Sequence, residues 1–430
     1  MIQRKPFRSY LLMLSTVMVL SAAAIMVLAF TVDPFGMYRF VEIDGFNASK
    51  PRMYANARLV KAYYVREARP HGLILGSSRA DVGLNADHPG WKAASRPVFN
   101  SALPSMRMRE VYDYLRHAQA QAGLKQLVIG LDFFMFDAKH EFEPGFDPNR
   151  LDLNGHRWIS GAFFKDYFRT LMSYDAITAT WDTLTFRKGF AVRFLRNGGQ
   201  DPSRRQQNIS NKGGHHAAFE SALSEIVVSQ DALLGMTYGP SSISRNRPLS
   251  YLDDVLAYCE REGISVYLIV SPVHALWLEA IWELGLWPEY ERWKRDLSRI
   301  VDRYARSTVP QRDVQLWDFT GFNPITMESV PPRDRPEMTM EWYWEASHYK
   351  RETGDLVLSR VFGSERFQVP NSFGVRLTES NVEAHLQALR EARIRYAASY
   401  PQSVQIVWEV LFEEAGEISR RSRMSEARQD

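Results

Sequence analysis

One cysteine, Cys259, is all that this 430-residue chain contains. A single thiol excludes an internal disulfide and a cysteine-built metal site, so the core must hold the fold. Lone cysteines suit the cytosol, and they also suit a periplasmic protein that avoids mispairing. Excess charge of one sign is equally scarce. The 53 Lys and Arg nearly balance the 50 Asp and Glu, leaving +3. The pI near 8.8 therefore reflects a small excess spread along the chain, not a basic face, and no nucleic-acid partner is expected.

Several motifs are also missing. The chain has no Gly-x-x-x-x-Gly-Lys-Ser/Thr phosphate loop and no dinucleotide fingerprint. It has no Gly-x-Ser-x-Gly elbow, which argues against the α/β-hydrolase fold. His140, His156 and the His215-His216 pair lack tight ligand spacing, so neither a metal nor a cofactor is expected. No internal repeat is present.

Apolar residues are plentiful. The chain is 45% hydrophobic and 13% aromatic, ample for a sizeable core. Its length suggests one large domain with insertions, or two domains. Tyr10 to Val32 runs 23 residues without a charge. At about 1.5 Å per residue, a helix of that length crosses the ~30 Å hydrocarbon layer. Arg4, Lys5 and Arg8 precede the run; Asp33, Glu42 and Asp44 follow it, with Arg39 the one early basic residue. The positive-inside rule then expects a single-pass protein of the inner membrane, with its N-terminus in the cytoplasm and its main domain in the periplasm. A cleaved signal peptide is the alternative, but its apolar stretch is normally shorter.

The expected organisation is a tail at 1–9, a transmembrane helix at 10–32 and a membrane-exit segment at 33–70. An α/β domain follows at 71–136 and 248–370, interrupted by a helical and loop insertion at 137–247. A helical extension closes the chain at 371–430. The α/β assignment rests on alternation. Leu73–Leu75, Val98–Asn100, Leu127–Leu131, Ser265–Val270 and Val314–Asp318 read as buried strands. Amphipathic helices at Arg107–Ala122, Tyr251–Glu262 and Glu289–Arg306 lie between them. Such alternation implies a three-layer α/β/α arrangement around a mostly parallel sheet. The insertion, with its Gly/Asn/Gln/Arg-rich loops around Asn197–Gly214, reads as a cap over the site or a membrane-proximal lobe.

Ligands bind beyond the carboxyl ends of parallel strands. Gly76-Ser77-Ser78, Asn100-Ser101-Ala102, Gly130-Leu131-Asp132 and Ser271-Pro272-Val273-His274 all fall at such ends. Glu345-Ala346-Ser347-His348 supplies a histidine with a carboxylate three residues earlier, which suits a base and the group that orients it. A serine hydroxyl is a weak nucleophile until such a base takes its proton. Ser78 is the candidate nucleophile, with Ser77 competing. His274 would line the pocket or pack. Trp342 and Trp344 flank Tyr343 and could stack on sugar rings or fill the core.

This set resembles the SGNH, or GDSL-like, hydrolase superfamily over roughly Leu73–Phe136 and Val266–Val361. Gly76-Ser77-Ser78 is similar to its nucleophile block, with Ser78 in the nucleophile place. Ala102 falls near the Gly of the second block and Asp132 near the Asn of the third. Glu345-Ala346-Ser347-His348 resembles the closing Asp-x-x-His, with Glu for Asp. The anchor and the Gly-Ser-Ser form most resemble the membrane-anchored branches, including the alginate O-acetylation proteins and the teichoic-acid D-alanylation esterase. The resemblance implies a Ser78–His348–Glu345 triad acting on acyl esters of an envelope or exported polysaccharide. The implied partners are that polymer, the inner membrane and a membrane-bound acyltransferase. It also implies an oxyanion hole from the N–H groups of Ser78 and Ala102, or a donor such as Asn100. An ionised Asp132 would repel an oxyanion. Arg79 would neutralise it or contact an anionic substrate. The alternative is an inactive scaffold that keeps the fold and binds a polysaccharide or partner membrane proteins.

Overall fold

Short, mostly buried apolar runs build one six-stranded sheet. In chain order the elements are α1 (Lys5–Val32), α2 (Ala57–Ala68), β1 (Gly72–Leu75), α3 (Ser78–Gly83), β2 (Val98–Asn100), α4 (Met108–Ala122), β3 (Gln126–Leu131), α5 (Gly161–Met172), α6 (Tyr174–Thr185), α7 (Pro202–Asn211) and α8 (His215–Val228). They continue with α9 (Arg247–Glu262), β4 (Ser265–Val270), α10 (Ala275–Glu283), α11 (Trp287–Ala305), β5 (Val314–Asp318), α12 (Arg351–Phe362), β6 (Val375–Leu377) and α13 (Val382–Ser399). This is a computed structural model, and it describes residues 5–39, 42–152, 161–186, 191–228, 247–306 and 312–412. The Arg/Glu tail beyond residue 412, His156 and residues 229–246 of the insertion lie outside the described residues.

The strand order is β2-β1-β3-β4-β5-β6. The first five strands pair in parallel, and β6 joins β5 antiparallel. Every residue of β1, β2, β3 and β4 is buried. That explains why these strands read as continuous apolar runs and not as alternation. β6 lies in the segment expected to be wholly helical. Its three residues, two of them exposed, are too few to show a pattern.

Helices α2, α4, α9, α11 and α13 pack in succession along the sheet, and α12 packs against α3. α4 shows how the sequence sets a helix: Glu110 accepts from the Arg107 N–H at 2.9 Å at its start, and Gly123 at φ +75° ends it. A buried Lys294–Asp318 pair at 2.7 Å, joined by His385 at 2.8 Å, fastens α13 to the end of β5.

Helix α1 contains a 26-residue span, Phe7–Val32, with mean hydropathy 2.5, long and apolar enough to cross a membrane. Its most apolar stretch has no buried residue. The described part of the insertion divides in two. Helices α5 and α6 pack against α1, whereas α7 and α8 reach the carboxyl edge of the sheet.

Candidate active site

The strand order reverses between β1 and β3: the chain steps outward from β1 to β2 and then returns to the other side of β1. Open parallel sheets leave a crevice at such a point. Gly76 follows β1 there with φ +138°, and an added methyl would meet the Gly130 carbonyl oxygen at 2.7 Å. Only glycine permits both that conformation and that approach.

Ser77 then caps α3. Its Oγ accepts from the Arg79 N–H at 3.1 Å and donates to Asp132. The residue is fully buried, so this hydroxyl is committed to structure. Ser78 is the first residue of α3 and half-buried. Its Oγ donates to His348 Nε2 at 2.8 Å. His348 Nδ1 in turn donates to Glu345 Oε1. This tautomer follows from the hydrogen-bond partners. Glu345 also accepts from the N–H groups of Ser347 at 2.7 Å and His348 at 3.1 Å, so one carboxylate shapes the turn and orients the ring.

The electrostatics suit a base. Burial disfavours charge on Glu345, but His348 and the Ser347 N–H override it and hold the carboxyl down to about 2. Burial lowers the His348 pKa; Arg205 and Arg79 add to this, and Glu345 opposes it. The imidazole is therefore neutral at neutral pH and able to accept a proton.

Asp132 does not face an open oxyanion site. It is buried, receives the Ser77 hydroxyl and pairs with Arg79 Nη1 at 2.7 Å. Arg79 also donates to Ser347 Oγ at 3.1 Å and lies 4.7 Å from the Trp277 ring centre. It thus ties α3, the end of β3 and the histidine loop together.

Ala102 and Asn100 do not enter the cavity. The Ala102 N–H donates to Asn100 Oδ1 at 3.1 Å, and the Ala102 carbonyl accepts from buried Lys61. Asn100 Nδ2 donates to the carbonyls of Ala80 at 3.0 Å and Leu84 at 3.1 Å. Both residues brace α3 from behind. The expectation that either supplies an oxyanion donor is corrected by those satisfied bonds. His274 is likewise internal: it is wedged between the Phe219 and Tyr343 rings, hydrogen-bonded to the Glu328 carbonyl at 2.7 Å, and pushed by burial to about 4. Trp344 packs with Val82, Ile209 and Ala218, and Trp342 packs on the main core. Trp344 is buried and Trp342 partly so, and neither ring is among the residues that line the cavity.

The cavity itself measures about 490 Å³. Ser78, His348 and Glu345 line it together with Arg79, Phe134 and Trp277. Its outer wall comes from α7 and α8, including Arg205, Lys212 and Ala218. Ser105, an exposed residue with φ +50°, lines it from the loop after β2. Sequence reasoning missed Ser105, Arg205, Lys212 and Trp277. One signal was available for α7: Asp201-Pro202 is a helix start, with the Asp201 carboxylate accepting from the Ser203 N–H at 3.0 Å and Pro202 in the first turn. Among the described residues, no cluster of His, Cys, Asp and Glu is arranged to hold a metal ion. Neither the protein-family models nor the curated proteins compared with this chain match it.

Proposed function

We propose that the protein is a membrane-anchored, SGNH-like serine esterase or O-acyltransferase facing the periplasm, acting on acyl esters of an envelope or exported polysaccharide. The observation that carries this reading is the unbroken relay from Ser78 Oγ through His348 to Glu345, opening on a cavity at the sheet's switch point.

Ser78 Oγ attacks the ester carbonyl as its proton passes to His348 Nε2. Glu345 steadies the imidazolium. The tetrahedral adduct collapses, and the leaving alcohol takes the proton from His348. The acyl group, now on Ser78, passes to water or to a sugar hydroxyl that His348 deprotonates. Hydrolysis and transfer share this covalent intermediate. The Ser78 N–H lies in the first turn of α3, where N–H groups have no carbonyl four residues back, so it can face the oxyanion. Phe134 and Trp277 give the cavity its apolar wall. Arg205 and Lys212 give it positive charge.

One observation favours a second reading, an inactive scaffold of a polysaccharide-modifying system. The Ala102 N–H, expected as the second oxyanion donor, is bonded to Asn100. Turnover of a small acetyl ester by the full-length protein in detergent separates the two readings. Ser78→Ala should reduce kcat by about 10³-fold or more if the enzyme reading holds. Equal measurable rates would show that Ser78 is not the nucleophile, and no turnover by either protein would leave only the scaffold.

A further inference from the structure

Two short helices beside α1 carry large apolar residues that are exposed and that, among the described residues, nothing covers. On α5, Phe164 is 63% exposed and Phe168 62%, and Met172 continues their row. On α6, Tyr174, Ile177 and Trp181 form a second row, with Trp181 68% exposed. Spacings of four and four, then three and four, place each set on one side of its helix. Isolated exposed apolar side chains are ordinary in proteins, but two adjoining rows of large ones mark a contact surface.

The opposite side of α5 is fixed to the main domain. Asp166 is buried there and accepts from Arg150 Nε at 2.6 Å and from the Tyr63 hydroxyl at 3.0 Å. Tyr63 belongs to α2. The rows therefore cannot turn inward without breaking a buried ion pair.

What adjoins these rows is α1. Both helices pack against it, Phe35 clusters with Ala176 and Ala179, and Tyr38 bonds Thr170. The α1 residues withdrawn from solvent are Ala22, Met26, Ala29 and Val32, which lie on one face. From Ala22 to Val32 the chain makes ten rises, roughly 15 Å of helix. The uncovered surface of α1 and the rows on α5 and α6 thus adjoin. Lys165 and Arg169 sit one residue beyond Phe164 and Phe168, with side chains 72% and 48% exposed and only loose pairs, each at 3.7 Å, to Asp147 and Asp175. Basic residues flanking an aromatic row suit lipid headgroups, because their stems run along apolar surface while the charges stay wet.

We propose that the α5–α6 hairpin is a membrane-docking lobe. Its aromatic rows enter the outer half of the same bilayer that α1 crosses, and Lys165 and Arg169 meet the phosphates. The inference rests on α1 being a membrane anchor. Docking at this second point would fix the rotation of the catalytic domain about the axis of α1, which a lone membrane-spanning helix leaves free.

The test is spin labelling of full-length protein in phosphatidylethanolamine–phosphatidylglycerol vesicles. Cysteine replaces one residue at a time in Phe164→Cys, Phe168→Cys and Trp181→Cys. Val19→Cys reports on α1, and Ala388→Cys on α13 serves as the aqueous reference. The native Cys259 is buried. The proposal expects labels at 164, 168 and 181 to collide more with oxygen than with a water-soluble nickel chelate, as the label at 19 does. If the label at 19 is in lipid but the other three match position 388, or are shielded from both probes, the lobe does not dock on lipid and the proposal falls alone. If the label at 19 is aqueous as well, the anchor reading falls and takes the proposal with it.

Discussion

Ser78 Oγ and His348 Nε2 lie 2.8 Å apart although 270 residues separate them in the chain. The contact depends on how tightly α3 meets α12. A methyl on Gly354 would overlap the Gly83 carbonyl oxygen, and one on Gly83 would overlap the Tyr349 ring. Neither neighbour is a flexible side-chain end. Gly354→Ala should therefore separate the two helices and cost about 1–3 kcal/mol of stability, as overpacking does. Denaturant unfolding measures the cost. Esterase activity should fall further than the lost stability explains, because Ser78 starts one of the helices pushed apart and His348 lies three residues before the other.

The pH dependence of activity follows from the base. His348 must be neutral to accept the serine proton, and burial holds its pKa below the ordinary 6.5. Activity should thus persist below pH 6.5 before it falls on the acid side. Arg205 also disfavours the imidazolium. Removing that positive charge in Arg205→Gln should raise the His348 pKa and move the acid limb of kcat/KM toward neutral pH. A limb that stays in place, or moves to lower pH, would contradict the assigned electrostatics.

Glu345→Gln tests the orienting group. The amide keeps the size but allows the wrong ring tautomer, so kcat should drop by about 10²–10⁴ while KM changes little. The carboxylate also stabilises the fold. Its folded pKa, about 2, lies below its ordinary 4.5, so its contribution is complete above pH 4.5 and lost as pH falls toward 2. Acid titration of unfolding in wild type and Glu345→Gln should show the two curves converging across that window.

Asp132→Asn places an amide where the resemblance expected one, yet the structure argues against any gain. Arg79 and Asp132 form a buried pair, with side chains 5% and 1% exposed. Neutralising one partner leaves the other charge buried without compensation, at a cost of about 3–5 kcal/mol. Thermal unfolding should register a large loss. A variant as stable as wild type would mean that the pair contributes little.

The strands and their carboxyl ends were legible because buried parallel strands leave continuous apolar runs, and the short lengths and flanking glycines of Leu73–Leu75 and Ser265–Val270 favour strand over helix. The Glu345-to-His348 spacing was legible because three residues suffice for one turn to bring carboxylate and ring together. The direction of the loop after β2 was not. Asn100 and Ala102 stand at a strand end like Ser78, but Asn100 turns back to cap carbonyls of α3, and only tertiary contacts decide that. The polar composition of α7 resembles a loop and outweighs the Asp201-Pro202 start signal. Trp342 and Trp344 show the limit of reading aromatics: where a ring lies relative to the cavity, not its identity, makes a stacking face.

The account stands on Ser78 being a nucleophile with a working base. The most direct measurement is reaction of the folded, full-length protein with a fluorophosphonate, followed by peptide mass mapping. The account expects one phosphonyl group per chain, on Ser78, and none on Ser78→Ala or His348→Ala. Folded protein that stays unlabelled, or that is labelled on Ser77 or elsewhere, would contradict it.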